Sequence, residues 1–152
     1  MRETTRTGLA VLVTIPPDIT LLTGITDTMV VRAPRAGAAL PAFLAFSSGC
    51  VLVAHNAQFD LSFLTAACAA NEISWPPAAV IDTAVLARLL LGPADVPDYR
   101  LATLAQYFGA RTTPCHRALA DAKATADVLV GLLSLVAATG ARRGQHPMRA
   151  AS

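Results

Sequence analysis

Two short runs hold most of the residues in this chain whose types and spacing suit chemistry. The first is Val53-Ala54-His55-Asn56-Ala57-Gln58-Phe59-Asp60. An apolar stretch from Cys50 to Ala54 ends there in a polar turn, and a carboxylate follows as a new apolar period begins. In open α/β sheets, ligands bind just outside the carboxyl ends of the strands. His55, Asn56 and Asp60 would fall in that place. The second run is Cys115-His116-Arg117-Ala118-Leu119-Ala120-Asp121-Ala122. A histidine precedes a long helical pattern, and Asp121 lies near its start among Ala118, Ala122 and Ala126. Side chains that small leave room for a cation and a phosphate. Carboxylates offer hard oxygen ligands, and histidine is the side chain that most often serves as a general base near neutral pH. Each residue also has a plain structural use. Asp60 suits a helix start, where acids complement the macrodipole. His116 suits a cap or a surface position, Asp121 a solvated helix face. His55 and Asn56 could simply satisfy the turn backbone.

The elements that must position these residues are legible from period and punctuation. Leu9 to Thr14 is short, aliphatic and β-branched, which predicts a strand. Pro16-Pro17-Asp18 opens a helical turn, and Thr26-Asp27 caps a second before Met29 to Val31. Helical spacing runs from Ala38 to Phe46 and ends at Ser47-Ser48-Gly49. Cys50 to Ala54 is a continuous apolar run, which predicts a strand buried on both faces. A helix follows over Phe59 to Ala70, and a second short buried strand over Ala79 to Ile81. Asp82-Thr83 starts a helix over Ala84 to Leu91, with Asp82 as a cap rather than a ligand. Leu101 to Phe108 is a further helix, and Arg117 to Thr139 is the longest. The remainder, 140–152, has no apolar period and is expected to be a disordered tail behind one domain over 1–139. Strands alternating with helices predict an α/β architecture with parallel pairing. Three strands are few for so many helices.

Composition narrows the class. The chain has 152 residues, the size of one domain, and is 54% hydrophobic and 14% charged. Disordered and heavily charged coiled-coil chains do not look like this. Twelve basic and ten acidic residues give a net charge of +2, too weak to point to nucleic acid by itself. The longest uncharged stretch, Ala36 to Phe59, is broken by Pro41, Ser47, Ser48, His55 and Asn56, so no membrane span is expected there. Cys50, Cys68 and Cys115 show no zinc spacing and are expected to be buried thiols in a reducing cytoplasm.

Taken together, the two runs resemble the DEDDh family of 3′→5′ exonucleases, of the type found in the epsilon subunit of bacterial DNA polymerase III. His55 to Asp60 matches the family's HNAxFD motif, and His116 to Ala122 its HxAxxDA motif. Leu22-Thr23-Gly24-Ile25-Thr26, Asp82-Thr83 and Leu101 to Gly109 look like further family segments, so the resemblance covers Ile15 to Val136. It implies a ribonuclease H-like exonuclease fold, with a mixed sheet flanked by helices. It implies metal binding at Asp60 and Asp121, a catalytic His116, and nucleotide contacts from His55, Asn56 and Phe59. It further implies Mg²⁺ or Mn²⁺ in a two-ion site, single-stranded 3′ ends as substrate, and a DNA polymerase subunit as a candidate partner. Asp60 and Asp121 are then expected to face one shallow cleft, with His116 on its rim. The family's first motif, DxETTG on the central strand, has no counterpart, because no DxE occurs in the chain. Met1 to Leu9 looks like a damaged remnant of it, with Glu3 at the glutamate position and the N-terminal strands truncated. Two functions remain open on these residues. One is an exonuclease domain with an incomplete metal site. The other is an inactive relic that binds nucleic acid or a polymerase.

Overall fold

The computed structural model describes residues 14–76 and 78–144. The chain divides into two compact units, Met1–Ala33 and Pro34–Ser152. The strand expected over Leu9 to Thr14 falls, up to Val13, outside the described residues, as does Glu3.

The described part of the first unit holds two short helices, α1 (Pro17–Thr23) and α2 (Asp27–Val31). Pro17 sits in the first turn of α1, where its missing N–H costs nothing. Gly24 ends the helix at φ 66°, and its amide returns to the Thr20 carbonyl. The Ile15 amide donates to the Asp27 carboxylate Oδ1 at 2.8 Å, which ties the entry of α1 to the start of α2.

The second unit runs α3 (Ala36–Phe46), β1 (Leu52–Ala54), α4 (Ala57–Ala70), β2 (Val80–Asp82), α5 (Thr83–Leu90), α6 (Leu101–Tyr107) and α7 (Ala118–Gly144). It is an α/β structure with helices around a small sheet. The mixed sheet expected from the resemblance is, among the described residues, a parallel pair, β1 beside β2, with Leu52 opposite Val80, Val53 opposite Ile81 and Ala54 opposite Asp82. The strand expected to be buried on both faces is not: Val51 is 51% and Val53 38% exposed. No described strand pairs with the other edge of β1, so its alternate residues lack a neighbour to cover them.

The core lies where α5, α6 and α7 meet. Ala87, Leu104, Ala124, Val128 and Leu132 are fully buried there. Ala124, Val128 and Leu132 recur every fourth residue, which is one stripe of a helix. Ala118–Thr139 is long and apolar enough to cross a membrane by length and composition, with a mean hydropathy of 1.5. The stripe of Ala124, Val128 and Leu132 packs on α5 and α6, while Leu119, Val130, Leu133 and Val136 stay exposed. The helix also continues to Gly144, past the end expected at Gly140, so the segment expected to be disordered begins as helix. Residues 145–152 lie outside the described residues. Of the three thiols expected to be buried, only Cys68 is; Cys50 and Cys115 are exposed.

Candidate active site

The carboxyl ends of β1 and β2 carry the first motif run, and Asp82 organises them. Its Oδ1 accepts from Ala84 N at 2.9 Å and Val85 N at 3.4 Å, the N-cap bonds that start α5. The same Oδ1 accepts from Asn56 N at 3.0 Å, and Oδ2 from Ala57 N at 2.9 Å. The expectation of Asp82 as a helix cap is thus met, with α4 added. Burial pushes this carboxyl upward in pKa, but the amides of Ala57, Asn56, Ala84 and Val85 outweigh burial and hold it below the usual aspartate value.

Asn56 takes φ 65°, a left-handed conformation that asparagine tolerates better than most residues. His55 is half-buried beside it. Its Nδ1 lies 2.9 Å from Thr83 Oγ1, and Thr83 Oγ1 lies 3.3 Å from the Ala54 carbonyl. Thr83 is fully buried. Burial lowers the His55 pKa below the ordinary histidine value. The Asp82 charge and a hydrogen bond to the Tyr99 backbone act in the other direction, and the Arg88 charge adds to the lowering. These contacts satisfy the turn, the structural use open to His55 in the sequence. Thr83 was not singled out from the sequence as a partner of this ring. The only signal was its place after Asp82, at the end of a short strand.

Asp60 stands in the first turn of α4, exposed to solvent. Phe59 beside it is 62% exposed and packs edge-to-face on Phe63, with ring centroids 5.0 Å apart. Phe63, itself 63% exposed, carries the other half of this aromatic surface.

The second motif run opens α7. Asp121 lies in its first turn, half-buried, and Oδ1 accepts from Cys115 N at 2.9 Å. That bond holds the loop across His116, which is exposed and takes φ 58°. One turn and a half later, Asp127 accepts from Arg111 N at 3.0 Å and from Arg111 Nη2 at 3.1 Å. The Arg111 side chain and amide hold the Asp127 carboxyl below its usual pKa. Asp127 therefore fastens the loop ahead of His116 to α7.

Both α4 and α7 pack against β1. Yet among the described residues no three His, Cys, Asp or Glu side chains gather closely enough to hold a metal ion. Asp60, Asp121 and His116 do not form such a group, and Glu3 is not among the described residues. Two carboxylates are chemically right for Mg²⁺ or Mn²⁺, but the described residues alone do not fit a two-ion centre.

The parallel strands, the turn after β1, and acids opening both α4 and α7 belong to an α/β domain with its two motif runs at helix starts. The RNase T exonuclease family matches residues 7–129, and the chain belongs to this exonuclease family. The DEDDh character read from HNAxFD and HxAxxDA, and the ribonuclease H-like fold that goes with it, stand with that match. Among curated relatives, a Mycobacterium tuberculosis (strain CDC 1551 / Oshkosh) protein named as a bifunctional exonuclease/endonuclease is 49% identical over 126 residues, 83% of this chain and 20% of the relative. A PolC-type DNA polymerase III of Caldanaerobacter subterraneus is 44% identical over 76% of this chain and 8% of its own length. The DNA polymerase III subunit epsilon of Treponema pallidum is 36% identical over 79% of this chain and 56% of its own length. The chain thus spans only part of each relative. Glu3 lies ahead of the matched residues.

Proposed function

We propose that Asp60, His116 and Asp121 are this chain's contribution to a 3′→5′ exonuclease site for single-stranded nucleic acid, and that residues 1–152 alone cleave negligibly. One observation carries this reading: the family match contains both motif runs, yet the chain has no DxE and the described acids do not gather. The family uses divalent metal ions, whose chemistry would be Lewis-acid stabilisation of the phosphate. The chain's own residues supply the rest. His116 acts as the general base that takes a proton from an attacking water, a role that its exposure just ahead of α7 supports. Asp121 keeps that loop in register through its bond to Cys115 N. Asn56 and Phe59 present a polar group and an apolar ring to a terminal nucleotide, and His55 backs the turn that holds them. The names of the relatives support a DNA polymerase or nuclease setting for such a domain.

The assay is release of mononucleotides from a 3′-labelled single strand with Mg²⁺ or Mn²⁺. Negligible release is expected from residues 1–152. Fusing a family-type DxETTG strand ahead of residue 1 should restore cleavage, and His116→Ala should abolish it again. Robust cleavage by the unfused chain, lost in Asp121→Ala, would overturn the claim of an incomplete site. A fusion that stays inactive would overturn the roles given to Asp60, His116 and Asp121. The missing ligand group also favours a second reading, binding without hydrolysis. Fluorescence anisotropy with a labelled single strand measures that directly.

A further inference from the structure

We infer that Asp82 is a positioning residue for Asp60, because its single carboxylate fixes the start of α4 as well as that of its own helix. An ordinary N-cap serves the amides two and three residues ahead, and Asp82 does so through Ala84 N and Val85 N. That leaves Oδ2 unused by α5. It is given wholly to Ala57 N at 2.9 Å, while Oδ1 also reaches Asn56 N at 3.0 Å. A carboxylate has about two lone-pair sites on each oxygen; three amides share Oδ1 and one takes Oδ2, and together they come from the starts of two helices.

The start of α4 depends on this arrangement. Its own cap residue, Asn56, makes no side-chain cap bond and sits at φ 65°. The orphan amides that every helix start presents are met here by an acid 25 residues downstream. The next residue repeats the link: Thr83 Oγ1 reaches both His55 Nδ1 and the Ala54 carbonyl. Asp60 is three residues past Ala57, in the first turn, so whatever moves the start of α4 moves Asp60. A carboxylate site tolerates only about half an ångström of displacement. The inference rests on the proposal that Asp60 acts in the site, but the clasp itself can be measured without it.

The decisive substitution is Asp82→Asn. It keeps one acceptor oxygen and replaces the other with an amide donor, which cannot accept from Ala57 N–H. Amide hydrogen exchange followed by NMR should show Ala57 exchanging about tenfold faster or more, while Ala84 stays within about twofold, since Asn is itself a good N-cap. Asp82→Ala should release Ala57 and Ala84 together. In the unsubstituted chain, the amide shifts of Asn56, Ala57, Ala84 and Val85 should titrate with one shared midpoint below the usual aspartate range. This titration needs no variant, so it decides the matter even if a variant does not fold. Unchanged protection of Ala57 in Asp82→Asn, or α4 amides that titrate apart from those of α5, would show that Asp82 caps α5 only. Failure of the parent reading appears separately: in the DxETTG fusion, Mn²⁺ would then leave the Asp60 amide resonance unbroadened.

Discussion

Gly131 lies inside α7, where glycine is normally a cost of about 1 kcal/mol relative to alanine. Replacing it with alanine in an open helix would therefore stabilise. The structure predicts the opposite sign here. A Cβ at Gly131 would fall on the Phe108 ring, 2.5 Å from Cγ and 2.9 Å from Cε1, with Cδ1 nearer still. The ring has little room to retreat. It packs on the α5–α6–α7 core and stands edge-to-face against Tyr107, with centroids 4.9 Å apart. Overpacking of this kind costs about 1–3 kcal/mol, and about 1 kcal/mol returns through helix propensity. The expected net effect of Gly131→Ala is a loss of about 1 kcal/mol, or roughly 4 °C in Tm for a domain of this size. A double-mutant cycle with Phe108→Ala isolates the cause. Without the ring, Gly131→Ala should stabilise by about 1 kcal/mol, so the coupling energy is about 2 kcal/mol. Thermal and urea melts followed by circular dichroism measure all four proteins. A coupling near zero, or a Gly131→Ala protein more stable than its parent, would refute the reasoning.

Two further outcomes follow from the strand-end turn. Thr83→Val keeps the shape of a fully buried side chain but strips the partner from His55 Nδ1 and the Ala54 carbonyl; it should cost about 1–3 kcal/mol in urea melts, with Thr83→Ser recovering most of the loss. The pH dependence has a definite sign. His55 has a lowered folded pKa, so below its ordinary value of about 6.5 the unfolded chain binds the proton first, and stability should fall as the pH drops through that window. Asp82 is lowered for the opposite chemical reason, a stabilised anion, and its contribution is present above about pH 4 and lost below. Urea melts at pH 8, 6 and 5 test the first window; a His55→Gln chain should be flat across it.

Much of this molecule was legible in the sequence because its signals are local. Pro17, Gly24 and Asp82 act within a few residues of themselves, so helix starts and stops followed from backbone chemistry that any neighbour would have to respect. The apolar period gave α4, α5, α6 and α7 to within a few residues for the same reason, and the two motif runs named the exonuclease family before any geometry was known. What the tertiary structure decided was partnership. From sequence, Asp82 is one cap; only the parallel register of Ala54 with Asp82 brings the start of α4 within reach of its second oxygen. From sequence, Cys50 to Ala54 is an apolar run fit for burial on both faces. Its exposure depends on whether a strand lies alongside, and that contact is not encoded in the run itself. No local signal marks Asp127 as a fastener, because its partner, Arg111, is sixteen residues away on a loop that only folding returns to α7. The residue types fixed which chemistry was available; the chain's return on itself decided which groups spend that chemistry on each other and which leave it free for a ligand.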